Sequence, residues 1–333
     1  MISRVANSIY WLNRYVERAE NYARFMDVNF NLSLELPPDV PEQWLPLIES
    51  SDDIELFNSL YKSPSKFNVI RFLGFDQNNP SSVYNCIMKA RENARTVRPE
   101  ITKEVWEQIN AMYFFVQEAY RKRDWQKEDP REFFNQIKRG CHLLYGIIDA
   151  TISRNEVWHF GNIGRLMERA DKTSRMLDVK YNIILPSNTL VDSTFDIIQW
   201  AALLKSVSAY DAYRRNHGNL NSVFIIEFLI FNELFPRSIM RCVSQAELSL
   251  HLISGNNSGR YSNNAERLAG MIRSGLEMTN VNEVIQKGLH EFLDDIQIKL
   301  NDVSDEIFNM FFSKNSSVLQ SMKHYELFSV SNQ

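Results

Sequence analysis

The strongest constraint on the fold is an internal repeat, because a chain that carries one segment twice has to accommodate both copies. Residues 14–31 align without gaps on residues 165–182, and eight of these eighteen positions are identical. The identical pairs are Arg14/Arg165, Glu17/Glu168, Arg18/Arg169, Ala19/Ala170, Arg24/Arg175, Asp27/Asp178, Val28/Val179 and Asn31/Asn182. The repeated segment is therefore rich in paired arginine and acidic positions.

A second match supports a duplication of the whole chain. Residues 69–90 align with residues 225–246, in the same order and at nearly the same offset as the first pair. We therefore predict two tandem helical repeats, at 1–155 and 156–310, followed by a C-terminal helical extension at 311–333. The two repeats are expected to pack as one globular unit.

Scarcity of turn-forming residues predicts an all-α fold. The chain contains 11 glycines and 10 prolines, which is 21 of 333 residues, about half of the usual share. Sheets and long loops use these residues in their turns. Apolar positions in residues 14–31 recur at helical spacing, which is typical of an amphipathic helix with one buried face. The predicted fold is a helical bundle of two tandem repeats with no significant sheet.

Further helices follow from the same spacing. Pro80 and Pro236 stand where a new helix is expected to begin, with proline in its first turn. The other predicted helices cover residues 102–122, 131–154, 192–215, 262–277 and 282–313.

Composition excludes several classes of protein. Hydrophobic residues make up 44% of the chain and the net charge is -4, so the sequence predicts a folded core and no nucleic-acid partner. The longest apolar run, residues 224–231, is too short to cross a membrane. The first ten residues lack the apolar stretch of a signal peptide. Three widely spaced cysteines favour a reducing compartment, and we expect a cytoplasmic protein without a membrane partner.

The arginines of the repeated segment are the main candidates for function. Glu20 and Arg24 form a favourable i, i+4 pair, and Arg14 and Glu17 form an i, i+3 pair. All three arginine positions are arginine in both copies, which favours bidentate or partly buried contacts over simple solvated charge. Three interpretations remain open here: a charged outer face, a buried structural network, or a cleft that binds an anionic group.

Other segments supply further arginines that would form a basic pocket if their helix faces converge. Arg95 follows the first proline turn, Arg214 lies near the end of a predicted helix, and Arg237 follows Pro236 directly. Surface arginines with local partners are the alternative. The full set of candidate ligand- or partner-binding residues is Arg14, Glu17, Arg18, Arg24, Arg95, Arg165, Glu168, Arg169, Arg175, Arg214 and Arg237.

Common catalytic and cofactor motifs are missing from the sequence. A di-iron carboxylate bundle needs two Glu-x-x-His motifs, and the chain has only Glu156 with His159. Cys141 and His142 are adjacent, so on a helix they point about 100° apart and cannot pair. We predict no metal site and no cofactor.

The acidic stretch between Arg24 and Lys62 is interpreted as a solvated irregular segment or as a docking surface for a basic partner.

Several motifs resemble the bacterial alpha-E domain family. They are residues 4–20 (RVANSIYWLNRYVERAE), residues 79–82 (NPSS), residues 92–95 (ENAR) and residues 236–238 (PRS). The resemblance implies an all-helical fold named for a glutamate–arginine motif, here Glu17-Arg18 and Glu168-Arg169. It also implies an association with circularly permuted ATP-grasp proteins and with transglutaminase-like cysteine proteases.

Together these features predict an accessory or binding component of a peptide or amide-bond modification system, with a possible peptide ligand. Glu17 and Glu168 would orient the arginines or bind the amine end of the same ligand. An enzyme with one of these glutamates as general base, or a purely structural scaffold, are the alternatives. The guanidinium groups expected to hold a carboxylate or phosphate belong to Arg14, Arg18, Arg165 and Arg169.

Overall fold

A computed structural model gives the fold of residues 1–35, 43–126, 129–184, 194–256 and 260–313. These residues form helices, turns and loops and contain no strand, which confirms the all-α prediction. Most of the predicted C-terminal extension, residues 314–333, lies outside the described residues.

The first part of the chain forms seven of the described helices. They are α1 (Ser3–Glu35), α2 (Leu45–Glu49), α3 (Ile54–Leu60), α4 (Lys66–Ile70), α5 (Val83–Thr96), α6 (Lys103–Lys122) and α7 (Arg131–Thr151). A π-helical turn, Arg71–Phe75, continues directly from α4.

The second part adds eight more described helices. They are α8 (Glu156–Ile184), α9 (Thr194–Ser206), α10 (Tyr210–His217), α11 (Ser222–Phe231), α12 (Ile239–Ser254), α13 (Asn264–Met278), α14 (Val281–Lys287) and α15 (Leu289–Ile307). A second π-helical turn, Phe308–Phe312, follows α15.

Two long helices, α1 and α8, pack against each other at the centre of the molecule. Helix α1 also packs against α5 and α7, and helix α8 packs against α12 and α15. Helix α6 contacts α5 and α7, and α13 contacts α12 and α15 in the same way. One large cluster of buried apolar side chains extends from Ala6 to Phe312, and a small second cluster joins Val28 and Leu32 to Ala202. The boundaries of the two repeats remain a prediction.

Helix α1 is buried on more sides than the sequence predicted. The apolar stripe is buried as expected, with Ala19 and Met26 fully enclosed, but Glu17 and Glu20 are also 0% exposed. The prediction of one buried face was therefore wrong. Neighbouring helices cover the polar side of α1 as well, and that is possible only where buried charges find partners.

Two glycines of α8 allow it to approach α1 closely. A Cβ atom on Gly164 would stand 2.3 Å from the carbonyl oxygen of Tyr10, and one on Gly161 would stand 2.6 Å from the side-chain nitrogen of Asn13. Both distances are far shorter than van der Waals contact. The absence of side chains at these positions brings α8 within reach of the polar groups of α1.

The two proline-containing turns begin helices differently from the prediction. Pro80 and Pro236 lie before the helices, while Ser82 and Ser238 serve as N-caps and accept hydrogen bonds from backbone N–H groups in the first turns of α5 and α12. The serine hydroxyls satisfy donors that helix N-termini leave free. Proline at the first helical turn was therefore a wrong prediction, displaced by a better capping residue.

Other predicted segments contain breaks. The helix predicted over 192–215 is interrupted between α9 and α10, where Ser208 has φ 56°. The helix predicted over 282–313 is divided at Gly288, which has φ 105°. In the acidic stretch, α2 and α3 are helical, so the stretch is not irregular throughout; its Pro37, Pro38 and Pro41 lie outside the described residues.

Candidate functional site

Glu17 of α1 lies at the centre of a buried ion-pair network. Its two carboxylate oxygens accept hydrogen bonds from Nε and Nη2 of Arg169, each at 2.8 Å. Nη1 of Arg237 donates to the same carboxylate at 3.0 Å, and the Tyr145 hydroxyl donates at 2.7 Å. The charge-assisted hydrogen bonds from two guanidinium groups and a phenol offset the free-energy cost of removing this carboxylate from water.

Glu168 of α8 repeats this arrangement with the helices exchanged. Nε and Nη2 of Arg18 donate to its two oxygens at 2.6 and 2.9 Å, and Nε of Arg14 donates at 2.9 Å. Each central helix thus supplies the carboxylate for an arginine of the other helix. The expected i, i+3 pair of Arg14 with Glu17 was wrong, because Arg14 binds Glu168 instead.

Glu20 extends the network toward the surface. It is bound by Nη2 of Arg237 at 2.7 Å and by Arg24, the i, i+4 partner that the sequence predicted. Nε2 of His142 lies 3.2 Å from the same carboxylate. Arg237 also donates to the side-chain oxygen of Asn21 at 2.9 Å, so one guanidinium links three side chains of α1.

Backbone geometry explains why these groups meet. The arginines and glutamates of each repeated segment are spaced by three or four residues, which places them along one side of their helix. The close crossing of α1 and α8 then sets each set against the other. Arg237 arrives from the turn before α12, and the Thr173 hydroxyl on α8 donates to its backbone oxygen at 3.0 Å.

The guanidinium groups keep the buried glutamates ionised. Burial alone would raise the pKa of Glu17, but Arg169 and Arg237 outweigh it and lower the pKa to about 2. Burial opposes ionisation of Glu168 as well, and Arg18 and Arg14 lower its pKa in the same way. Both side chains are therefore permanent anions near neutral pH.

The remaining candidate arginines differ in their surroundings. Arg175 pairs with Asp171 at 2.9 Å and with Asp52 of the acidic stretch at 3.2 Å. Arg165 donates to Asn162 at 2.8 Å. The contacts of Arg175 join α8 to the loop before α3, whereas Arg165 and Asn162 both lie on α8.

Arg95 and Arg214 remain outside the network. Arg95 is 68% exposed and pairs with Glu92 on its own helix at 2.5 Å. Arg214 hydrogen-bonds the Tyr210 hydroxyl, also on its own helix, at 3.4 Å. Of the three arginines from other segments, Arg237 alone joins the buried glutamates. The expected common pocket does not form from all three.

Several members of the site, among them Glu20, Tyr145 and His142, were missed as candidates. Glu20 had a detectable signal, because the matching position in the second copy, Asp171, is also acidic and also binds an arginine four residues on. Tyr145 and His142 of α7 carried no such signal. Only the packing of α7 against α1 brings them to Glu17 and Glu20.

The described residues also bear on metal binding and on the membrane. Among them, no group of three His, Cys, Asp or Glu side chains is arranged to hold a metal ion. None of their helices combines the length and apolarity that crossing a bilayer requires. The cysteines Cys86, Cys141 and Cys242 are free and buried in the core.

Comparisons with known proteins agree with the site. The Alpha-E family, described as a predicted alpha-helical domain with a conserved ER motif, matches residues 1–312. Uncharacterized proteins of Mycobacterium bovis and Mycobacterium tuberculosis are 19% identical over 337 aligned positions, covering 91% of this chain and 36% of theirs. The chain thus spans about a third of the length of these curated relatives. No solved structure is significantly similar to it.

Proposed function

The chain belongs to the Alpha-E family, and we propose that it is a non-catalytic accessory component of a bacterial peptide or amide-bond modification system. Its proposed partners are a circularly permuted ATP-grasp protein and a transglutaminase-like protease, as the family resemblance implies. The proposed location of this system is the cytoplasm. One observation carries the non-catalytic part of the proposal: Glu17 and Glu168 are fully enclosed and bound by guanidinium groups.

The rival enzymatic function requires a different environment for these glutamates. A general base must reach its substrate, and it works best with a pKa near the operating pH. Glu17 is 0% exposed and its pKa is lowered to about 2, below its ordinary value, by Arg169 and Arg237. A group with these properties neither reaches a substrate nor accepts a proton from it. The geometry therefore favours a role in holding the domain together.

The same contacts oppose the predicted binding of an anionic ligand by these arginines. Arg14, Arg18 and Arg169 already bind carboxylates of the chain itself, so an external anion would have to displace buried, charge-assisted hydrogen bonds. We therefore assign these three arginines no external ligand. In this proposal the accessory role depends on the outer surface of a rigid helical domain.

Length of the relatives gives independent support. The segment that matches this chain makes up 36% of the mycobacterial proteins, so in those proteins it is joined to further polypeptide. A domain that occurs within a longer chain works beside other domains. An accessory role is consistent with that arrangement.

Co-purification tests the proposal. The chain is co-expressed with an ATP-grasp protein and a transglutaminase-like protease from the same bacterium, and ATP turnover is measured with and without it. We expect stable co-elution with at least one of the two and a changed rate of ATP turnover. If the chain co-elutes with neither protein, the proposed partners are contradicted.

The enzymatic alternative has a separate readout. The isolated chain is assayed for amide hydrolysis, together with Glu17→Gln and the surface control Glu118→Gln, whose parent side chain is 54% exposed and paired with Lys122. We expect no turnover by any of the three. Hydrolysis that Glu17→Gln abolishes without lowering the melting temperature would establish a catalytic glutamate instead.

A further inference from the structure

A groove with aromatic walls lies between α6, the start of α7 and the 3₁₀ turn Asp124–Gln126. Four rings line it, two of them buried and two half-buried: Phe75, Phe133, Phe115 and Trp125. None of its described lining residues belongs to the Glu-Arg network. The groove leaves about 500 Å³ for the centres of water-sized molecules. That volume lies within the range of roughly 300–1,000 Å³ in which small organic ligands bind.

The four rings form a row. The rings of Phe115 and Phe133 are nearly parallel, with centroids 5.5 Å apart, and the Phe75 centroid lies 4.6 Å from that of Phe133. Trp125 stacks on Phe75 at 4.4 Å, with an angle of 7° between the ring planes. Phe115 and Trp125 nevertheless remain partly exposed. The groove therefore offers aromatic surface, which attracts both apolar groups and cations.

Carboxylates outnumber cations around the groove. Its described charged residues are three acids and one base: Glu118, Asp129, Glu132 and Lys122. Lys122 lies 2.7 Å from Glu118, so these two charges offset each other. Asp129 accepts a hydrogen bond at 2.6 Å from Nε of Arg131. One carboxylate is left to account for.

Glu132 has a neutral partner only. The side-chain amide of Gln136, which also lines the groove, donates to it at 2.6 Å. No basic side chain in the described part of the chain pairs with this carboxylate. An exposed glutamate in the first turn of a helix is common and would not define a site by itself. Here, however, the unpaired charge stands beside partly exposed aromatic rings, and that combination suits a cation with an apolar body.

We propose that this groove binds a small organic amine with an aromatic body. The ammonium group pairs with Glu132, and the body packs against the rings of Phe115 and Trp125. The three carboxylates disfavour an anionic ligand, and a small hydrated cation would leave the aromatic walls unused. This binding site goes beyond the accessory role proposed above and does not depend on it.

Titration with 2-phenylethylamine tests the site. The probe is added to the full chain, and the indole N–H signal of Trp125, assigned with Trp125→Phe, is followed by NMR. We expect a saturable shift with this amine and weaker binding of the neutral 2-phenylethanol, by about twofold to fivefold. We expect no saturable shift with 3-phenylpropanoate or with ethylamine, which lacks the ring.

Each probe has a result that would overturn the proposal. Absence of a saturable shift with 2-phenylethylamine would remove the site. Equal affinities for the amine and the alcohol, or saturable binding of 3-phenylpropanoate, would show that the groove does not select a cation. Ethylamine binding as tightly as 2-phenylethylamine would show that the aromatic walls take no part.

Variants locate the charge that binds. Glu132→Gln should weaken 2-phenylethylamine binding about twofold to fivefold, because an exposed ion pair is lost. The charge reversal Glu132→Lys should weaken it by about tenfold or more. Glu104→Gln is the matched control, since Glu104 is an exposed first-turn acid of α6 that does not line the groove. It should leave the affinity unchanged.

A second pair of variants tests the aromatic wall. Phe115→Ala should weaken binding of 2-phenylethylamine about threefold or more, because it removes a ring that lines the groove. Phe115→Leu keeps an apolar side chain without the ring, so it should give a smaller loss and covers the case in which Phe115→Ala fails to fold.

The variants also define the contrary result. Equal losses in Glu132→Gln and Glu104→Gln would indicate a general effect of net charge rather than a site at Glu132. A folded Glu132→Lys variant, checked by its circular dichroism spectrum, that binds the amine as tightly as the unchanged chain would also overturn the proposal. Unchanged affinity in both Phe115 variants would exclude this groove. None of these results affects the co-purification experiment.

Discussion

Glu17 on α1 and Arg169 on α8 form a bidentate ion pair with both hydrogen bonds at 2.8 Å, and no part of the glutamate is exposed. Arg18 on α1 and Glu168 on α8 form the matching pair, so that each central helix supplies both a carboxylate and a guanidinium group to the other. A buried ion pair is a weak source of net stability, but removing one member leaves an uncompensated charge. The motif therefore fixes how the two helices pack.

Replacement of one acid should be strongly destabilising. Glu17→Gln leaves Arg169 and Arg237 buried without their shared anion, and we expect the free energy of unfolding to fall by about 3–5 kcal/mol. Urea denaturation measures this change. The exposed control Glu118→Gln should leave the midpoint almost unchanged, since its partner Lys122 is also solvated. Equal effects of the two variants would contradict the buried network.

Acid should destabilise the fold through the same carboxylate. Folding lowers the pKa of Glu17 from 4.5 to about 2, as Arg169 and Arg237 outweigh its burial. Its ionised form therefore stabilises the fold above about pH 4.5, and this contribution is lost as the pH falls from 4.5 toward 2. Urea denaturation across this range should give a steep decline, and Glu17→Gln should show a shallower one. Identical slopes would count against the assignment.

Arginine should not be replaceable by lysine at the reciprocal positions. Arg169→Lys and Arg18→Lys keep the charge but lose the two-pronged contact with the opposite glutamate. We expect each to lower the free energy of unfolding by about 1.5–3 kcal/mol, and by similar amounts because the two contacts are alike. Arg95→Lys at the surface is the control. Tolerance of lysine at both buried positions would show that charge alone is sufficient.

Two glycine-to-alanine variants should change the free energy of unfolding in opposite directions, because only one of the glycines lies where the central helices approach closely. In Gly164→Ala the new methyl group meets the Tyr10 carbonyl oxygen at 2.3 Å, so α8 has to move. We expect a loss of about 1–3 kcal/mol or more. In Gly146→Ala, on α7, the methyl group meets nothing within 4 Å. Alanine should stabilise that helix by about 0.5–1 kcal/mol; thermal denaturation distinguishes the two signs.

The sequence predicts the helical class, and it bears on the surroundings of the Glu-Arg motif without choosing among an outer face, a buried network and a cleft. Few turn residues leave little besides helix, and retention of arginine at Arg18 and Arg169 favours bidentate contacts over solvated charge. The exchange of partners between helices is not predictable in this way. Pairing rules for one helix join Arg14 to Glu17, whereas the crossing geometry, set in part by Gly164, joins Arg14 to Glu168.

Contacts that depend on a third helix lie further beyond sequence reasoning. Tyr145 and His142 are ordinary residues of an amphipathic helix until α7 packs against α1. Among the described residues Arg165 pairs with Asn162 and with no carboxylate, whereas Arg237 binds Glu17, a difference between the two copies that no spacing rule reveals. Helix boundaries at Ser208 and Gly288 depend on backbone angles that a periodic pattern does not report.

The ionisation of Glu17 inside the folded protein is the most direct test of the account. Carbon-13 NMR of the glutamate carboxyl groups, with the Glu17 signal assigned by Glu17→Gln, follows it in the pH range where the chain remains folded. Because Arg169 and Arg237 lower the pKa of Glu17 to about 2, its carboxyl signal should stay at the ionised position from neutral pH down to about pH 4. A signal from folded protein that titrates at or above pH 4.5 would show an accessible, protonatable glutamate and contradict the account.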